Sequence, residues 1–109
     1  MIIEQFINEK TIQFLRYSNA VINHSLHYKE LDSFIENTLV EWTLFEVTDE
    51  TPNNAKELVF WHVMYEFSIH SAKELESNLY FKSEISTCID FLSGIGSYPI
   101  DCIGWRPIS

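Results

Sequence analysis

Leu58-Val59-Phe60-Trp61-His62-Val63-Met64-Tyr65-Glu66-Phe67 is the most apolar stretch of the chain, and its reading decides the fold. On a helix, Leu58, Trp61, Met64, Tyr65 and Ser68 share one side, while Val59, Phe60, Val63 and Phe67 cover most of the rest. A helix apolar nearly all round belongs at the centre of a fold, because it has no face suited to water. A short apolar run also suits a buried strand. Its length favours the helix, and so does Asn54 three residues before Glu57, the spacing of a side chain that caps a helix start. A helix over 54–69 is the expectation.

Before this helix, Thr48-Asp49-Glu50-Thr51-Pro52-Asn53 reads as a polar loop. Ahead of the loop, Ile35, Leu39, Trp42 and Phe45 form a stripe flanked by Phe34 and Thr38. Ser33 followed by Glu36 matches a capping box, and Asp32 suits the positive end of a helix dipole. The second helix is therefore expected to start at Ser33 and to fade at Val47. Residues 2–24 carry Ile3, Phe6, Ile7, Phe14, Leu15, Val21 and Ile22 at helical spacing, with Glu9, Lys10, Gln13 and Arg16 opposite them. The mixed segment 23–29 should turn the chain.

After the central helix, Ser71 with Glu74 is a further capping box and predicts a short helix through Glu76. Phe81, Ile85, Cys88, Ile89 and Leu92 stand in register over 79–92, and Gly94 suits a left-handed C-terminal cap. The tail, with Gly96, Pro99, Gly104 and Pro107, cannot be a helix. Its Ile100, Ile103 and Trp105 suit an extended strap closing the core, with Arg106 locked to a bundle carboxylate. Tyr98 or Trp105 could instead anchor a partner. The fold class is all-α: one compact domain over 1–109, with four to five helices and an irregular C-terminal strap.

Composition agrees with a small globular domain. Of 109 residues, 46% are hydrophobic and 21% charged, and Gly and Pro number three each, too few for a turn-rich sandwich or barrel. Sixteen acids against seven bases give a formal net charge of −9. Such a balance disfavours nucleic acid and anionic membranes as partners and favours a basic protein. The first residues include Glu4 and no positive n-region, and no apolar run approaches the roughly 20 residues of a membrane span. With Cys88 and Cys102 read as free thiols, a cytoplasmic location is expected.

The acids are concentrated. From Glu30 to Glu50 there are seven (Glu30, Asp32, Glu36, Glu41, Glu46, Asp49, Glu50) and no base. One reading is a solvated face that keeps the protein soluble. The other is a docking surface that steers a cationic partner and sets its register. On that second reading Glu36, Glu41, Glu46, Asp49 and Glu50 are the candidate partner-binding residues. Trp42 and Trp105 would be hot spots if exposed.

Catalytic patterns are sparse. His62, Glu66, His70 and Glu74 recur every four residues, and histidines at i and i+4 can share a metal. The capping box at Ser71 should end the helix near His70 and remove Glu74 from that stripe. His62 and Glu66, set among aromatics, could equally satisfy each other, so no metal is assigned. His24 and His27 form a weaker pair in the turn. Cys88 lies on an apolar stripe, where thiols are inert, and Cys102 stands beside Asp101, which disfavours thiolate. Gly94-Ile95-Gly96 lacks the third glycine of a phosphate loop, and there is no GxSxG elbow. No enzyme activity, cofactor or small-molecule substrate is expected. A metal-dependent enzyme using His62, Glu66 and His70, or a helical scaffold subunit, is the alternative.

The acidic run from Glu30 to Glu50, the segment Phe60-Trp61-His62 and the tail Cys102-Ile103-Gly104-Trp105-Arg106-Pro107 give a small acidic helical chain. In these features it resembles the immunity proteins of bacterial contact-dependent growth inhibition systems. The resemblance covers the chain loosely and carries no site residue over. It implies neutralisation of one cognate toxin, often a basic nuclease domain, by covering its active site or a nearby surface.

Overall fold

The computed structural model describes residues 3–44, 54–99, 102, 104, 106 and 107. Five helices follow in order: α1 (Ile3–Ile22), α2 (Tyr28–Trp42), α3 (Ala55–Ile69), α4 (Ala72–Ser77) and α5 (Leu79–Leu92). There is no strand among the described residues, so the apolar stretch 58–67 is a helix. Helix α3 packs against α1, α2 and α5, and α4 bridges to α5. Val59, Phe60, Trp61, His62, Val63, Met64 and Phe67 are all buried, as the apolar pattern requires. Tyr65, Ser68 and Ile69 mark the one side that reaches water.

A ladder of rings runs through the core. Phe6 meets Trp42 at 5.9 Å between centroids, and Trp42 meets Trp61 at 5.0 Å. Trp61 leads to Phe60 (4.9 Å), Phe14 (6.2 Å), Phe67 (5.8 Å) and Phe81 (6.0 Å). Mostly tilted or edge-on, these contacts place ring edges on ring faces, worth about 0.5–1.5 kcal/mol each beyond the area buried. The buried hydroxyls stay within their own helices: Thr11 donates to the Ile7 carbonyl (2.6 Å) and Thr38 to that of Phe34 (2.8 Å).

Local signals explain most boundaries. The Asn54 side chain accepts from the Glu57 amide at 2.8 Å and starts α3. Ser71 and Glu74 form the reciprocal capping box of α4, and the Asn78 side chain caps α5 by accepting from the Phe81 amide. Helix α5 ends as expected on Gly94, whose φ of 86° permits two closing bonds. Gly94 N–H donates to the Phe91 carbonyl and Ile95 N–H to that of Asp90. The same closure ends α1 with a non-glycine, His24 at φ 61°.

The expected start of α2 at Ser33 is corrected: the helix begins at Tyr28, with His27 as an N-cap that makes no side-chain cap bond. Ser33 and Glu36 are exposed positions inside it, where the amides are already bonded along the helix. A tertiary contact sets this boundary. The Tyr28 hydroxyl donates to the carbonyls of Phe67 (2.6 Å) and His70 (3.1 Å), tying the first turn of α2 to the last turn of α3. Those carbonyls lack a full set of intrahelical partners, so a half-buried phenol serves them in place of water. The expected fade at Val47 is corrected as well: α2 ends at Trp42, and the Thr43 N–H closes it on the Leu39 and Val40 carbonyls. The expected loop 48–53 lies outside the described residues.

The tail closes over the N-terminal end of α3. Arg106 donates to the Glu57 carboxylate through Nε at 2.5 Å and Nη2 at 2.9 Å, and Trp61 Nε1 donates to the same group at 3.1 Å. Arg106 is thus locked to a bundle carboxylate, as the sequence suggested. The Trp42 indole donates to the Pro107 carbonyl at 3.2 Å. Gly104 lies against the Leu58 backbone, where a Cβ would stand 1.9 Å from the carbonyl oxygen.

Gly104→Ala should destabilise the fold by about 1–3 kcal/mol in urea titration, because backbone must move to admit the methyl group. Arg106→Met leaves a buried carboxylate unpaired and should lose about 3–5 kcal/mol. Glu57→Gln combined with Arg106→Met should lose less than the sum of the single variants, and strict additivity would remove the pair from the account.

Candidate functional site

Two groups of side chains carry chemistry that the fold does not absorb: the outer face of α2, and a His–Glu cluster between α3 and α5.

The α2 face is set by helical periodicity. Leu31, Phe34, Ile35, Thr38 and Trp42 point inward, so Ser33, Glu36, Asn37, Val40 and Glu41 point to water, and Leu44 is exposed just past the end of the helix. Glu36 and Glu41 are exposed as the charge reading requires. Val40 (64% exposed) and Leu44 (80%) stand beside them, a feature the charge pattern did not predict. Part of their signal was present in the sequence, since Glu36 and Val40 are four apart on one stripe of a helix, while Leu44 follows the C-cap Thr43. Glu41 occupies the last turn of α2, which contains no base, and there it faces the negative end of the helix dipole. Lys10 of α1 pairs with Glu41, so the segment without a base of its own receives one from its neighbour. Nearby, burial and then Glu36 push the Asp32 carboxyl above its usual range.

Trp42 does not belong to this face. It is 2% exposed and sits in the ring ladder, which removes it as a surface hot spot. Its place on the buried stripe of α2, three residues after Leu39, was readable as core. Glu46, Asp49, Glu50 and Trp105 lie outside the described residues.

In the second group, His62 Nε2 lies 2.8 Å from Glu84 Oε1. Glu66, one turn along α3, brings a carboxylate oxygen to the same point, and ligand atoms of His62, Glu66 and Glu84 all lie within 4.8 Å of one another. His62 is 8% exposed, and the two carboxylates are half-buried. The stripe expected from the sequence, His62, Glu66 and His70, is therefore only partly assembled. His70 caps the C-terminal end of α3, its ring stacks on Phe81 at 3.9 Å, and its Nδ1 lies 2.8 Å from the Glu66 carbonyl oxygen. Glu84 takes the third place. Sequence spacing could not find it, because 22 positions separate it from His62 and the approach of α5 to α3 makes the contact.

The thiols differ in accessibility. Burial, with smaller effects from Cys102, Glu84 and Glu66, pushes Cys88 up to about 12. Cys102 is half-buried at the tail; burial raises it, Tyr98 opposes that by hydrogen bonding, and Glu84 adds to the rise. Neither environment favours a thiolate nucleophile. A shallow groove of about 500 Å³ between the α1–α2 turn and α4 is lined by Val21, Leu26, Tyr28, Leu75, Glu76 and Lys82, among others. At its edge, His24 approaches Glu76 at 3.8 Å, an exposed pair of little energetic weight. No helix among the described residues is long and apolar enough to cross a membrane. No family model, no curated protein and no solved structure matches this chain.

The raised thiol has a consequence for stability. In the unfolded chain Cys88 loses its proton near pH 8.5, while in the fold it holds it to about pH 12. Between these values the unfolded state binds fewer protons, so stability falls as pH rises. The half-buried Tyr28 phenol, also raised, acts in the same direction above its usual range. Urea midpoints should be level from about pH 7 to 8 and drop steadily above about pH 9. Cys88→Ala should flatten the first part of that drop. An unchanged slope in the variant would assign the alkaline loss to other groups.

Proposed function

We propose that this protein is an immunity-type inhibitor that neutralises a cationic toxin domain by stoichiometric binding through the outer face of α2. The observation that carries the reading is the composition of that face: Glu36 and Glu41 stand beside the strongly exposed Val40 and Leu44. Charge alone would suit a solvated surface. Exposed aliphatic side chains next to carboxylates match the build of an interface, with an apolar centre to desolvate and a charged rim to orient. In sequence the acidic run continues through Glu46, Asp49 and Glu50. If the toxin is a nuclease, these carboxylates take the positions that nucleic-acid phosphates would occupy.

The reading as an enzyme using His62, Glu66 and His70 loses support, since the His70 ring is held by Phe81 and by the Glu66 carbonyl, and Glu84 rather than His70 completes the group of donor atoms. A scaffold subunit would bind through the same kind of face and is separated by toxicity: its partner would be harmless alone.

The test uses the product of the neighbouring upstream gene as a defined prey, titrated against the untagged chain at low and high salt. A one-to-one complex with a basic protein that is toxic when expressed alone is the expected result. Glu36→Lys with Glu41→Lys should slow association about tenfold or more at low salt and flatten its salt dependence. Val40→Asp or Leu44→Asp should speed dissociation. Unchanged affinity and salt slope in the charge-reversed chain would end the electrostatic part of the proposal.

A further inference from the structure

We propose that His62, Glu66 and Glu84 form a binding site for one divalent transition-metal ion of the zinc class, joining α3 to α5. The site is separate from the α2 face and does not depend on the partner reading.

Three observations converge on it. The first is geometric. Zinc holds imidazole nitrogen and carboxylate oxygen at about 2.0–2.2 Å, so tetrahedral ligand atoms stand about 3.3 Å apart. Here the nitrogen and one oxygen are 2.8 Å apart, and all three donor atoms lie within 4.8 Å of one another, a spread that brackets this separation. His62 and Glu66 share a face of α3 one turn apart, and Glu84 comes from the facing helix, so the donors approach from two rigid elements.

The second is charge. Two carboxylates converge in a half-buried place, and among the described residues neither pairs with a lysine or arginine; their ionic neighbours are the imidazoles of His62 and His70. Bringing like charges together away from water is unfavourable without a cation between them. Glu66 also lies in the last turn of α3, where there is no base and the helix dipole favours positive charge.

The third is the surrounding support. The Glu66 carboxylate lies 3.6 Å from His70 Nδ1, and that ring is fixed by stacking on Phe81 at 3.9 Å. A ligating carboxylate steadied by an outer histidine is the arrangement that tunes and orients metal ligands. His62 is more than nine-tenths buried, so its orientation is set by packing before any ion arrives. An imidazole with two carboxylates suits zinc, whereas calcium and magnesium favour all-oxygen shells with more ligands. Three protein donors leave a further coordination position for water.

The test is calorimetric titration of the full, untagged chain with zinc chloride, alongside cobalt(II) absorption spectra. We expect about one equivalent of Zn²⁺ per chain and a melting temperature that rises with zinc concentration. Magnesium should give neither effect. Because His62 is buried and its replacement could unfold the core, the informative variants are Glu66→Gln and Glu84→Gln, which keep shape and remove charge. Each should bind zinc at least about tenfold more weakly with unchanged far-ultraviolet circular dichroism. His24→Gln with His27→Gln, on the surface turn, should bind as the wild type does. Cobalt should give visible d–d bands without a thiolate charge-transfer band. Wild-type chain that takes up no zinc, glutamine variants that bind it undiminished, or a thiolate band placing the metal on Cys88 or Cys102 would each overturn the proposal.

Discussion

A helix that is apolar around most of its circumference must be enclosed, and that requirement on α3 organises the rest of the protein. One neighbour covers roughly a third of a helix, so α1, α2 and α5 are all needed to bury Val59, Phe60, Trp61, Val63, Met64 and Phe67. The ring ladder from Phe6 to Phe81 is the material form of this enclosure, with α3 supplying Phe60, Trp61 and Phe67. Even the helix ends are recruited. Tyr28 serves the last carbonyls of α3, and the Arg106 strap serves the carboxylate in its first turn.

Polar groups inside this shell follow one rule: each is matched, because an unmatched polar atom in a low-dielectric interior is expensive. Glu57 shows it best, receiving the Trp61 indole and two guanidinium bonds from Arg106. Neutralising a buried carboxylate in this way also holds Arg106 against α3, so one ion pair both satisfies the core and anchors a residue far along the chain. Between α3 and α5 the pattern differs, since Glu66 and Glu84 meet with imidazoles rather than with a full cation. That imbalance is what sets the cluster apart from the rest of the interior.

Outside, charge is unevenly spread. Glu41 in α2 and Asp90 in α5 occupy last turns where no base stands, against the preference of the helix dipole. At Glu41 the Lys10 ammonium of α1 offsets part of this cost. Val40 and Leu44 interrupt the carboxylates on α2, so its outer face is neither a simple solvated surface nor a core face. The immunity-type proposal rests on that mixture rather than on net charge.

By itself the sequence determined what depends on neighbours a few residues apart. Asn54 three before Glu57, Ser71 three before Glu74, and Gly94 after Leu92 are contacts closed within one helical turn, and α3, α4 and α5 lie where those residues put them. The all-α class was legible in the same way, from the periodicity of apolar residues. Ser33 with Glu36 shows the limit: the same local pattern has no effect inside a helix whose start is held by Tyr28 against residues 39 and 42 positions away. Tertiary structure alone decided which partners meet across such distances. It set Trp42 against Phe6 and Trp61, replaced His70 by Glu84 beside His62, brought Lys10 to Glu41 and chose Glu57 for Arg106. The physical reason is common to all four: these contacts are fixed by how helix faces dock, and docking is set by burial of the whole apolar surface, not by spacing along the chain.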